Sequence, residues 1–262
     1  MIVYSHGFFA MYTRFAMVIP GIRKERGDQL SRRVEDIVED WEQCLSLFRS
    51  GAELQIINEL ASKRAVRESV SMTRVLDICN RYYMMTDGLF DPAVNQARSR
   101  WIDVIRDRNE GTIKFTNPGV KLDMGGIGKG IALEDVVVYL KSEGVKDAFI
   151  SFGESSLAGM GKHPHGNGWL VGTGERFLLR DEFVSVSGLQ DLHGRGEAER
   201  VAHIYHPVKR ELIRADRSVM VKCDSPVEAD VLSTCGYMAD EREFERLKSQ
   251  FPNAQWRIEA HL

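Results

Sequence analysis

The distribution of apolar residues predicts an α+β fold, a layer of helices packed on a largely antiparallel sheet. Three observations carry this expectation. Long stretches with helical apolar spacing occupy much of the first half of the chain, and short runs rich in Val, Ile and aromatic residues occupy much of the second. Helices and strands come in blocks, without the strict alternation that a doubly wound parallel sheet requires. No Pro- or Ser-rich linker divides the 262 residues, so residues 1–262 read as one domain, long enough to bury a sizeable core.

The elements follow in order. Met1 to Pro20 reads as a strand, with Phe8, Phe9, Met11, Phe15, Met17 and Ile19 in loose alternation. Gly27 to Asn58 predicts a long amphipathic helix carrying Leu30, Val34, Ile37, Val38, Trp41, Leu45 and Phe48, broken or kinked at Ser50-Gly51. A second helix is predicted over Ser69 to Thr86 and stopped by Asp87-Gly88. A third runs from Gly130 to Glu143, a further one opens at Ser225 and reaches Ala239, and the last covers Glu241 to Gln250. Strands are best supported at Lys146 to Ser151, Trp169 to Thr173, Phe183 to Val186 and Ser218 to Cys223.

Two segments carry chemistry. Asp230 and Thr234 stand four residues apart and project from one helix face, offering two hard oxygen donors. A magnesium ion is usually held by one or two carboxylates, a few neutral oxygens and the phosphates of its ligand. Alone, this spacing occurs by chance in many helices. Upstream, Leu122-Asp123-Met124-Gly125-Gly126-Ile127-Gly128-Lys129-Gly130 is a glycine-rich turn entering a helix, where backbone approaches a diphosphate closely and Lys129 adds positive charge. It fits neither standard phosphate-loop spacing, and the plain alternative is a turn that packs a helix on a strand. Together the two segments predict a Mg²⁺-assisted nucleotide site.

Along nearly its whole length the chain resembles the bacterial FAD:protein FMN transferases, the ApbE family. Met11-Tyr12-Thr13 is similar to the family's Met-Gly-Thr, and Cys44 to Phe48 followed by Ile57-Asn58 to its Ser-x-Phe/Tyr helix end and the Asn beyond. Asp87-Gly88-Leu89-Phe90-Asp91-Pro92 resembles Gly-x-Phe-Asp, and the glycine turn resembles Asp-x-Gly-Gly-x-Ala-Lys-Gly. Ser187-Gly188, His203-Ile204-Tyr205-His206-Pro207 and Ala229 to Thr234 resemble Ser-Gly, His-Ile-x-Asp-Pro and Ala-Asp-x-x-Ser-Thr. The chain departs from the pattern at Tyr12 for glycine, Gly128 for alanine, His206 for aspartate, and Ser151-Phe152-Gly153-Glu154 for Asn-x-Gly-Gly.

The resemblance implies two similar α/β halves merged into one layered unit, with a flavin nucleotide between them. It implies transfer of FMN from FAD to a Thr or Ser hydroxyl of an acceptor flavoprotein, with AMP as leaving group. The metal ligands it implies are Asp230, Thr234, the Gly128 carbonyl and Ser233, and the flavin-nucleotide contacts are Met11, Phe48, Leu89, Phe90, Asp91, Gly125, Ile131 and Ile204. His203, with an ordinary pKa of about 6.5, is the candidate base for the acceptor hydroxyl, beside Asp230 as the second catalytic residue. Two other readings stay open: a Mg²⁺-dependent FAD pyrophosphatase, in which water replaces the acceptor, and a non-catalytic FAD-binding protein.

Composition sets the frame. A net charge of −3 with scattered Lys and Arg argues against general nucleic-acid affinity. The four cysteines form no C-x-x-C pair and no zinc spacing, so they read as buried thiols. No run of eighteen apolar residues suggests a membrane span, and no lipobox cysteine stands near the start, which places the protein in the cytoplasm, or in the periplasm if a leader has been removed.

Overall fold

The apolar alternation from Tyr4 to Ile19 belongs to two strands. In the computed structural model, which describes residues 2–93, 99–172, 176–188, 190–191, 200–201, 204–213 and 217–260, β1 (Val3–Ala10) and β2 (Thr13–Pro20) form an antiparallel hairpin in which Ala10 faces Thr13. The linking residues Met11 and Tyr12 both have positive φ, 48° and 61°, as a type I′ turn demands. The reading of a single strand missed this turn because neither residue is the glycine or asparagine that ordinarily announces it.

The long predicted helix is two helices, α1 (Lys24–Leu45) and α2 (Glu53–Leu60). It ends before Ser50-Gly51 because the Ser46 hydroxyl accepts the amides of Phe48 (3.2 Å) and Arg49 (3.0 Å), offering the backbone an alternative to another helical turn. After the short β3 (Val66–Arg67), α3 (Val70–Met85) starts where the Ser69 side chain accepts the Met72 amide. It stops at Asp87 and Gly88, both left-handed, with the Gly88 amide donating to the Tyr83 carbonyl at 2.8 Å. Strands β4 (Val104–Asp107) and β5 (Thr112–Phe115) join β3 in a small sheet of order β3-β5-β4.

Helix α4 (Gly128–Ser142) begins two residues before the expected start and leads into β6 (Ala148–Phe152) and β7 (Ser156–Met160). Then come β8 (Trp169–Val171) paired with β9 (Phe177–Leu179), β10 (Glu182–Gly188), the pair β11 (Gln190–Asp191) and β12 (Arg200–Val201), and β13 (Arg217–Cys223). Helices α5 (Pro226–Met238) and α6 (Glu241–Gln250) precede β14 (Gln255–Ala260). The α6 bounds match the expectation, since Asp240 and Glu243 form a reciprocal capping box.

The main sheet has the order β1-β2-β6-β7-β10-β13-β14, and every neighbouring pair is antiparallel, so the architecture is α+β as predicted. Helix α1 packs on β1, α4 on β7, and α5 on β10 and β13. Successive strand residues then bury in opposite directions: Ile150, Phe183, Val219 and Val221 join the helix-side core, whereas Phe149, Val184 and Met220 join Trp169, Val171, Phe177 and Leu179 under the β8–β9 hairpin. Cover on both faces explains why these strands read as near-continuous apolar runs. Among the described residues no helix is long and apolar enough to cross a membrane.

Helices α4 and α5 touch with no room for a side chain at Gly130. A Cβ there would meet the Pro226 carbonyl oxygen at 2.6 Å and the Val227 Cα at 2.9 Å, and backbone atoms cannot swing away. Gly130→Ala is therefore expected to destabilise the protein by about 1–3 kcal/mol or more through overpacking, read as a lower urea midpoint at unchanged slope.

Candidate functional site

Asp230 lies on α5, 4% exposed, and each of its carboxylate oxygens has a donor from a different element. The Gly130 amide, in the first turn of α4, donates to Oδ2 at 2.7 Å, and the Ser156 hydroxyl, at the start of β7, donates to Oδ1 at 2.8 Å. The carboxylate thus sits at the positive end of the α4 dipole, where negative charge is favoured. One turn along α5, hydroxyls gather: Ser187 Oγ is 2.9 Å from Ser233 Oγ and 3.4 Å from Thr234 Oγ1, and Ser233 Oγ donates to Ser185 Oγ at 3.1 Å. Each carboxylate oxygen keeps a lone pair, and Thr234 remains half-buried. This donor set is all hard oxygen. Among the described residues no three His, Cys, Asp or Glu side chains cluster, and the one carboxylate with its neighbouring hydroxyls is the kind of set that fits a magnesium ion sharing its ligands with a phosphate.

The glycine turn is set against this cluster. Asn58 fixes its approach by accepting the Leu122 amide (2.7 Å) and donating to the Leu122 carbonyl (2.9 Å). Asp123 accepts the Gly125 amide at 2.8 Å, and a Cβ on Gly126 would lie 3.2 Å from Thr234 Oγ1, so glycine admits the threonine. At Gly128 a Cβ would meet only the movable ends of Met11 (3.2 Å) and Leu45 (3.4 Å), so the family's alanine and this glycine are nearly interchangeable there. Lys129 follows, half-buried, and among the described residues its side chain has no ion-pair partner.

Met11, Phe48, Gly125 and Gly128 line one cleft of about 180 Å³ with Tyr12, Glu42, Asp123 and Lys129. The sequence placed the first four in one site and marked Tyr12 as a departure from the family's glycine, whereas the only signal for Glu42 is proximity in the fold. Leu89, Phe90, Ile131 and Ile204 are buried, between 0% and 9% exposed, and Phe90 packs beneath Gly126. The Asp91 side chain is fully buried and taken up by its own chain: it accepts the amides of Ala93 (2.9 Å) and Trp101 (3.0 Å) and pairs with Arg100 (3.0 Å). Burial pushes its carboxyl up, opposed by those donors. It ties Ala93 to Trp101 behind Phe90. The missed members of the site are the hydroxyls of Ser156, Ser185 and Ser187, of which only Ser187 carried a motif. His203 lies outside the described residues.

Burial also raises every thiol, that of Cys44 to about 12, so at neutral pH the cysteines are protonated and offer no thiolate nucleophile.

The departures from the family pattern have local explanations. Glu154 and Tyr12 both stand where the pattern has glycine, and both hold the left-handed backbone that glycine adopts freely, at φ 59° and 61°. His206 is fully buried; its Nδ1 accepts the amides of Val208 and Lys209, each at 3.2 Å, which places the ring proton on Nε2, donated to Glu243 at 3.3 Å. An aspartate would accept the same i+2 and i+3 amides in an Asx turn, so the imidazole here takes over a carboxylate's turn-forming bonds.

Solved ApbE proteins share this fold. The ApbE protein from Thermotoga maritima superimposes with a TM-score of 0.84 at 20% identity over 99% of this chain and 97% of that one. The flavinyl transferase ApbE from Pseudomonas stutzeri, in its apo form, does so with 0.82 at 19% identity over 100% and 92%. The chain belongs to the ApbE family, whose model it matches over residues 11–257. Two relatives named FAD:protein FMN transferase are similar to it. That of Chlamydia muridarum is 21% identical over 207 residues, 69% of this chain and 65% of that protein. That of Escherichia coli strain K12 is 20% identical over 270 residues, 86% and 75%. The chain therefore spans just under two thirds of the chlamydial relative.

If Nδ1 of His206 serves as a turn acceptor, His206→Asn keeps an acceptor in place whereas His206→Ala leaves two amides without one. The alanine variant should lose about 1–3 kcal/mol in urea denaturation and the asparagine variant distinctly less.

Proposed function

We propose that the protein transfers FMN from FAD to a threonine or serine hydroxyl of an acceptor flavoprotein, releasing AMP, with residues 1–262 acting as one unit. The observation that carries this reading is Asp230 seated at the α4 N-terminus against a glycine turn and a cluster of hydroxyls. Family membership and the names of the relatives support it. Asp230, Thr234, the Gly128 carbonyl and Ser233 would hold Mg²⁺, which when bound neutralises charge on the diphosphate oxygens.

The chain's own residues do the rest. Gly130 and Ser156 hold the Asp230 carboxylate in one orientation, so no side-chain entropy is lost when the nucleotide arrives. The start of α4 and Lys129 favour phosphate beside the glycine turn. Met11, Phe48 and the buried Leu89, Phe90, Ile131 and Ile204 form and back the nucleotide's cleft, and Asp91 fixes the Phe90 loop. The acceptor oxygen forms its bond to the FMN phosphorus as the bond to the AMP oxygen breaks, and His203 takes the hydroxyl proton.

The decisive assay incubates the protein with FAD and Mg²⁺, with and without a protein bearing an acceptor Thr/Ser segment, and scores AMP and covalent flavin on a gel. Covalent flavin with AMP is the expected result. AMP alone would make the protein a pyrophosphatase, and bound FAD without AMP a binding protein. Asp230→Asn keeps an acceptor for the Gly130 amide but removes the charge; AMP release is expected to fall about hundredfold or more with folding retained. His203→Ala should cut transfer far more than FAD affinity, and equal losses would make His203 a binding residue.

A further inference from the structure

Tyr12 and Glu154 keep a left-handed backbone without glycine, yet their side chains differ in surroundings. Glu154 points into solvent. Tyr12, 67% exposed, sits at the rim of the cleft and meets Phe48 edge to face, with ring centroids 5.3 Å apart and planes at 80°. Phe48 is itself 75% exposed. A bulky residue at positive φ is disfavoured, and such conformations persist where the surroundings enforce them and a site uses them.

Both rings stand on fixed backbone. Tyr12 is held by the two-residue turn between β1 and β2, and the neighbouring Thr13 packs so closely on Gly153 that a Cβ there would lie 2.7 Å from Thr13 Oγ1. Phe48 follows Ser46, whose hydroxyl accepts its amide. Two exposed rings at 80° form a corner at one part of the cleft, where Lys129 supplies positive charge beside the carboxylates of Glu42 and Asp123. A ligand with a flat ring and a phosphate would meet both.

We infer that Tyr12 is a positioning residue for the nucleotide: with Phe48 it forms an aromatic corner that takes a planar heteroaromatic ring, and the left-handed turn between β1 and β2 holds the tyrosine there. The inference rests on the reading of the cleft as a dinucleotide site. Such a ligand carries two flat rings, isoalloxazine and adenine, and the test separates them.

Binding of FAD, riboflavin and AMP is measured by flavin fluorescence and calorimetry for the wild type, Tyr12→Gly and Tyr12→Phe, with a melting curve for each. Glycine accepts this backbone freely, so Tyr12→Gly should melt at the same temperature or higher, and a loss of affinity cannot then be ascribed to unfolding. The expected result is FAD binding about tenfold weaker in Tyr12→Gly and near wild type in Tyr12→Phe. Riboflavin weakened in parallel assigns the corner to isoalloxazine; AMP weakened in parallel assigns it to adenine. Wild-type FAD affinity in Tyr12→Gly, or equal loss in both variants, overturns the ring contact. A wild type that binds no FAD overturns the dinucleotide reading itself, and this inference with it.

Discussion

The site depends on one buried carboxylate. Asp230 is nearly sealed from water, and an ionised carboxylate so placed is costly unless donors and charge compensate. Gly130 and Ser156 supply the donors and the α4 terminus supplies the field, so the carboxylate oxygens keep their partners only while α4, α5 and β7 are in register. The same requirement explains why Gly130 lies against the Pro226 carbonyl: the amide reaches the carboxylate only if the two backbones touch. Placement of the carboxylate, helix packing and strand placement are therefore one constraint seen from three sides.

The departures from the family pattern show what is constrained. At Tyr12 and Glu154 the glycine is gone and the left-handed backbone remains; at His206 the carboxylate is gone and the turn bonds remain. Local geometry has been kept with other chemistry. The side chains added by these exchanges are then free to take other tasks, in the cleft for Tyr12 and against Glu243 on α6 for His206.

Much of this was legible in the sequence. Helices α3 and α6 were found with their ends because Ser69 and the Asp240–Glu243 pair cap them through local bonds, and the glycine turn and Asp230, singled out by residue type and spacing, meet through the Gly130 amide. The β1–β2 turn was not, since Met11-Tyr12 lacks a turn composition and apolar alternation runs through it. The end of α1 was misplaced because a serine hydroxyl, not the more conspicuous Ser50-Gly51, stops it. Strand β7, with Ser156, Ala158 and Gly159, is too poor in β-formers to be read, so the serine bonded to Asp230 stayed hidden. Ser185 and Ser187 come to the site by sheet register, which no local pattern encodes.

The position of β2 has a kinetic consequence. It lies beside β6, with Phe15 opposite Phe152, so the whole helical stretch from α1 to α4 is an excursion between two adjacent strands. Closing so long a loop costs chain entropy before its contacts reward it, and sheets joined by distant pairings assemble slowly. Met11, on the early hairpin, meets Gly128 at the far end of that excursion. The cleft between them therefore cannot close until the whole excursion from α1 to α4 has docked on the β1–β2 hairpin.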